Sequence, residues 1–177
     1  MKHFSFILLL FISTATLGQT NVSGAISSNT TWTSTGSPYR VTGNLLVNSG
    51  VTLTILPGTV IEIYSGKSIQ ILGELVAIGT VQDSIYFKDY NSQSSFKSIE
   101  FGDSSSDVVF NTDGSYASGN IFKYVIVNGG GSGANGSVIF ASSTGLIRHS
   151  SIRNSKSSGI HIYKNTTHVN TGWMGSG

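Results

Sequence analysis

The sequence predicts an all-β solenoid, a chain of very short strands wound turn upon turn. Three observations between residues 43 and 79 predict it. Glycines fall with nearly even spacing at Gly43, Gly50, Gly58, Gly66, Gly73 and Gly79. Each opens a short apolar run: GNLLVNS, GVTLTILP, GTVIEIYS, GKSIQIL and GELVAI. Within the runs, branched aliphatics recur at every second position, as Leu45/Val47, Leu53/Ile55, Ile61/Ile63, Ile69/Ile71 and Val76/Ile78. Period 2 with β-branched residues is the mark of a strand. A glycine at each boundary marks a corner, because only glycine takes positive φ without steric cost.

Three successive strands run from Gly43 to Gly66, from Gly50 to Gly73 and from Gly58 to Gly79. Segments of that length fit one turn of a three-sided parallel β-helix, in which each coil stacks on the last. The expected stacking puts Leu45/Val47 under Ile69/Ile71, Leu53/Ile55 under Val76/Ile78, and Ile61/Ile63 under Ile85/Phe87. Each buried aliphatic contributes roughly 1.5–3 kcal/mol before ordering entropy is subtracted, and one coil alone cannot shield it. A β-sandwich would place strands about 8–12 residues apart with hairpin turns. No Asn-Gly or Asp-Gly interrupts residues 43–79, where the turns are single glycines or Pro57-Gly58.

Residues 1–18 read as a secretory signal. Lys2 supplies the positive charge, Phe4 to Phe11 (FSFILLLF) the apolar segment, and Ser13, Ala15 and Gly18 the small residues before cleavage near Gly18–Gln19. The apolar stretch is shorter than the ~20 residues a span requires, so no transmembrane segment is expected after cleavage. The chain has no cysteine, which excludes lipid attachment at a cleavage-site cysteine, a disulfide framework and thiolate chemistry. Charged residues make up only 10% of the chain and the net charge is +2. An exported chain of near-zero charge is not expected to bind nucleic acid.

Residues 19–40 (QTNVSGAISSNTTWTSTGSPYR) form the expected N-terminal cap over the open end of the solenoid, with Trp32 and Tyr39 lying on the first coil. Stacking of these aromatics on a sugar is the alternative. From Trp32 on, SPYRVTGNLLVNSGVTLTILPGTVIEIYSGKSIQILGELVAIGT resembles the start of right-handed parallel β-helix proteins exported by Bacteroidetes-type bacteria. The resemblance is close over residues 32–88. It implies the pectate-lyase-like superfamily fold and secretion or surface display, and it implies no particular reaction.

Further strands are expected at DSIYFKDY (residues 83–90), FKSIEF (96–101), IFKYVIV (121–127), LIRHSSIR (146–153) and GIHIY (159–163). The piece IRNSKSSGIHI resembles a coil of the same superfamily. Its partner one coil earlier is VNGGGSGANGSVIF, aligning Asn128 with Asn154 and Ile139 with Ile162. Between the strands, residues 102–119 form a polar insertion and the one obvious candidate wall for a cleft. Coils are thus assigned to residues 41–165, and 166–177 to an irregular tail. An uncapped last coil suggests the front part of a longer protein. The resemblance implies further coils and a C-terminal export and sorting domain in full-length relatives.

All eight acids lie between Glu62 and Asp113, and the chain beyond is basic. Arg148, His149, Arg153 and His161 are the candidate groups for β-elimination on an acidic polysaccharide, which needs a base near the C5 proton and a cation or Ca²⁺ against the carboxylate. No acid adjoins them in sequence, so solvated outward charges are the plainer reading. Asp103, Asp107 and Asp113 are candidate Ca²⁺ ligands on the insertion, although their spacing matches neither an EF-hand nor a nonapeptide repeat. Glu62 has Tyr86 as its expected neighbour, which gives no carboxylate pair for glycoside hydrolysis. Thr52 and Thr54 point outward, but the expected position above is Ala77, so they start no threonine ladder. The sequence thus favours an exported module for surface display, adhesion or glycan binding, with no catalytic group or cofactor. Its alternative is the front of a polysaccharide lyase or glycoside hydrolase.

Overall fold

The computed structural model describes residues 18–91 and 94–164. The expected signal segment (apart from Gly18), the last position of the expected coils, Asn165, and the expected tail lie outside the described residues. The fold is all-β. In chain order the strands are β1 (Thr20–Ile26), β2 (Thr30–Trp32), β3 (Tyr39–Val47), β4 (Thr52–Ile55), β5 (Val60–Ile63), β6 (Ile69–Ile71), β7 (Glu74–Ile78), β8 (Ile85–Asp89), β9 (Ile99–Phe101), β10 (Val109–Phe110), β11 (Tyr116–Ser118), β12 (Ile121–Lys123), β13 (Val125–Asn128), β14 (Gly136–Ala141), β15 (Leu146–Arg148), β16 (Ser151–Arg153) and β17 (Ser158–Tyr163). One turn of 3₁₀ helix, Ser34–Gly36, precedes β3. Among the described residues no helix is long and apolar enough to cross a membrane.

Parallel pairing organises the strands into three rows. One row runs β2-β4-β7-β12-β15; a second runs β3-β5-β8-β13-β16; a third runs β3-β6-β9-β14-β17. Strand β3 belongs to two rows because it bends at Gly43: Tyr39–Val41 pair with β5 and Leu45–Val47 with β6. Its other edge carries β1. Inward side chains of all three rows merge into one core, aliphatic in the early strands and phenylalanine-rich later. Phe101 stacks on Phe140 at 4.7 Å, and Phe122 lies 5.6 Å from Phe87 and 5.7 Å from Phe101.

The corner glycines serve two purposes. Gly50, Gly58 and Gly66 have φ of 74°, 73° and 67°, the left-handed region expected of them. Gly73 and Gly79 do not. At Gly73 a Cβ would run into the carbonyl oxygens of Asn48 and Val51, and at Gly79 it would lie 2.7 Å from the Tyr124 carbonyl oxygen. There glycine permits close approach of two backbones.

The register differs from expectation in four strand pairs, β4–β7, β5–β8, β14–β17 and β13–β16, the last because Asn128 meets Arg153 and not Asn154. Leu45 and Val47 do pair with Ile69 and Ile71. Leu53 and Ile55, however, pair with Leu75 and Ala77, leaving Val76 and Ile78 outward. The apolar run in ELVAI satisfies either parity, and the corner at Gly73 selects the other one. Ile61 pairs with Phe87 and Ile63 with Asp89, because the turn at residues 80–84 lengthens that coil. Glu62 therefore neighbours Lys88, not Tyr86, and Thr52 and Thr54 lie beside Glu74 and Val76, not Ala77. Ile139 pairs with His161, and it is Phe140 that meets Ile162.

Trp32 stacks on Tyr39 at 4.6 Å and is only 3% exposed. Its ring faces the core, so it offers no platform to a sugar. The 102–119 insertion holds the antiparallel hairpin β10–β11. Glu74 anchors it by accepting from the Gly119 amide at 2.7 Å, and the buried Asn120 amide donates to Ser105 and Ser106. In β17, Ile160 and Ile162 continue the inward positions of Val138 and Phe140 but are 42% and 73% exposed, because no further strand covers them among the described residues.

Candidate functional site

Stacking in register turns residues far apart in sequence into neighbours. On the outer face of the second row, Arg40, Glu62, Lys88, Asn128 and Arg153 stand in one line, one from each strand. Arg40 Nε donates to Glu62 Oε2 at 2.9 Å, and Lys88 Nζ lies 3.2 Å from Glu62 Oε1. Burial pushes the Glu62 carboxyl up, but the hydrogen bonds and charges of Arg40 and Lys88 outweigh it and hold the carboxyl below its ordinary value. The hydrogen bond to Glu62 likewise raises Arg40.

Beyond the ends of these strands a second line begins. The Tyr90 amide still donates to Ile63 at 2.9 Å, which brings Tyr90 onto Tyr64. Their rings stack at 4.1 Å, and the Arg40 guanidinium lies 5.1 Å from the Tyr90 ring centre. A hydrogen bond to Tyr90, then burial, raises the Tyr64 hydroxyl above its ordinary range. One coil further on, the chain leaves the row. Gly129 has φ 110°, and the Gly130 amide turns to the Asp89 carboxylate. Asp89 also accepts from Ser95 Oγ at 3.0 Å and the Phe96 amide at 2.9 Å, so its oxygens are occupied in holding this corner. A Cβ at Gly129 would strike that carboxylate.

The result is an open depression of about 450 Å³ beside Tyr90. Lys88, Asn128, Asn154 and Lys156 line it with Tyr90. The Asn154 side-chain amide donates to Asn128 Oδ1 at 2.7 Å, although in the strand register Asn128 pairs with Arg153 and not, as expected, with Asn154. Tyr90 is 38% exposed, and Lys156 and Asn154 are exposed.

The four basic candidates do not converge. Arg148 ends β15, Arg153 ends β16 and His161 lies in β17, so each stands on a different row. Only Arg148 and His149 meet, at 3.3 Å, and His149 stacks on Tyr124 at 5.0 Å. The ion pairs found among the described residues centre on Glu62 and involve none of these four. The three aspartates also serve separate ends. Asp107 accepts from the Thr144 amide and hydroxyl, pinning the hairpin to the loop before β15. Asp113 accepts from Ser115 within the hairpin turn, which lowers its carboxyl. Asp103 lies exposed before the hairpin. Among the described residues no three His, Asp or Glu side chains come together as a metal site.

Sequence reasoning did not single out Tyr64, Tyr90, Lys88 or Lys156 as site residues. The signal for the tyrosines was their separation, the same as the spacing of Ile61 and Phe87, which pair on these strands. No protein family matches the chain, and no curated protein or solved structure does either.

Proposed function

We propose that this chain is a right-handed parallel β-helix module, exported through a signal at residues 1–18, that binds glycan at the cell surface or outside it and performs no catalysis. Three parallel rows support the fold: one coil after the other, Leu45 meets Ile69, Leu53 meets Leu75 and Ile61 meets Phe87. Right-handed crossover is the rule for parallel strands joined within one sheet. The observation that carries the function is the second row: charges, amides and an aromatic pair stand in line beside an open depression. Sugars are bound by this combination of an apolar ring and convergent polar groups.

The test is to run the purified chain through gels containing neutral or acidic polysaccharides, and to assay the same polymers for new reducing ends and unsaturated products. Retardation by at least one polymer without cleavage is expected. Cleavage would overturn the reading in favour of a lyase or hydrolase, and absence of retardation by any polymer would overturn glycan binding.

A further inference from the structure

The geometry points to the depression beside Tyr90 as the binding site for a sugar unit carrying a negative charge, carboxylate or sulfate; this rests on the glycan-binding reading above. The site exists because two neighbouring coils end differently. The lower coil keeps its ladder bond through Tyr90, whereas in the upper coil the positions that follow Asn128 are glycines without side chains: the Gly129 amide bonds onward to the Arg153 carbonyl and the Gly130 amide turns to Asp89. The Tyr64–Tyr90 stack therefore ends without a third side chain, and Tyr90 borders the open volume. A pyranose is an apolar disc with polar edges and fits beside an aromatic ring in such a place.

The polar groups fix the class of sugar. Asn128 and Asn154 are hydrogen-bonded amides on one wall, and such pairs bind hydroxyls. Charge favours an anion. Lys88 and Lys156 line the depression and Arg40 and Arg153 stand in the adjoining outer line, four cations against two acids, Glu62 and Asp89. Glu62 is held by Arg40 and Lys88, and Asp89 by three donors. Lys156 lines the depression and is exposed, and the ion pairs found among the described residues do not include it. It is the cation placed to meet a ligand carboxylate or sulfate.

The test is an NMR titration of the whole chain with D-glucuronate, D-glucose 6-sulfate and D-glucose, which differ only at C6. Saturable shifts are expected at Tyr90, Asn128 and Asn154 with at least one anionic sugar, with affinity for it about tenfold above glucose. Which anion binds tells carboxylate from sulfate. Lys156→Gln is expected to remove that preference while leaving weak glucose binding; Tyr90→Ala is expected to weaken every sugar. Circular dichroism confirms that both variants fold. Equal affinity for the three sugars would overturn the anion assignment while leaving glycan binding intact. Shifts confined to other residues, or binding unchanged in both variants, would overturn the site. Failure of these sugars together with every polymer in the gels would overturn the glycan reading itself.

Discussion

Replacing Phe87 by alanine is expected to be among the most damaging single changes in this fold, while the same change at the adjacent Tyr86 is expected to be mild. Phe87 is 1% exposed, pairs with Ile61 below and Val127 above, and lies 5.6 Å from the Phe122 ring. Tyr86 is 38% exposed, on the opposite face between Val60 and Ile126. Truncating a buried phenylalanine costs about 3–5 kcal/mol, from lost transfer energy and the cavity left between rigid coils. An outward tyrosine contributes mostly cross-strand contact, under about 1 kcal/mol. For a chain of this size each kcal/mol moves the midpoint by about 2–4 °C, so Phe87→Ala is expected to melt roughly 6–20 °C below the parent and Tyr86→Ala within about 4 °C. Thermal melts and urea curves with unchanged slopes measure both. Equal losses, or a greater loss at Tyr86, would refute the inward and outward assignment of β8.

Other consequences follow from single side chains. Glu62 has a folded-state pKa below its unfolded value, so its contribution is present above the ordinary carboxylate range and lost as pH falls through the lowered value. The stability gap between the parent and Glu62→Gln should therefore be widest near neutral pH and close on acidification, as read by urea midpoints across pH; a gap independent of pH would contradict the Arg40–Glu62–Lys88 ladder. Asn120 is fully buried; its Oδ1 accepts from the Leu75 amide at 2.9 Å, and its amide donates to Ser105 and Ser106. Asn120→Ala leaves a buried N–H without its acceptor and is expected to cost about 1–3 kcal/mol, with faster hydrogen exchange at Leu75. Unchanged exchange there would show that Asn120 does not tie the insertion to β7.

What the sequence made legible was the inside of the molecule. Alternating aliphatics at Leu45/Val47, Ile61/Ile63 and Ile69/Ile71 must face a core, and all of them do. Register was harder to read, because it depends on coil length and coil length changes at the corners. A run such as ELVAI is apolar at both parities, so Leu75/Ala77 and Val76/Ile78 could not be separated without knowing how Gly73 packs. Every outward neighbour inherits that ambiguity: moving Glu62 from Tyr86 to Lys88 replaces an aromatic contact with an ion pair. The depression beside Tyr90 was less legible still. It arises from a coil that leaves its row at Gly129, and a glycine run reads only as a bulge until the residues beneath it are known. Trp32 illustrates the converse. Its aromatic character suggested either a cap or a sugar platform, and burial against Tyr39 removes the second.

Every functional assignment here depends on which residues share a row, and cysteine cross-linking measures that directly because the chain has no cysteine of its own. Thr54 and Val76 are paired outward neighbours on β4 and β7. Adjacent strands lie about 4.8 Å apart, inside the Cα separation of about 4.4–6.8 Å that a disulfide accepts. Ile78, further along β7 on the same face, lies about 8 Å from Thr54 by the same geometry and outside that range. Thr54→Cys with Val76→Cys is expected to oxidise readily to an intramolecular disulfide in the folded chain, and Thr54→Cys with Ile78→Cys is not. Ready closure of the second pair and not the first would shift β4 against β7 and contradict the register assigned to the stacked parallel strands.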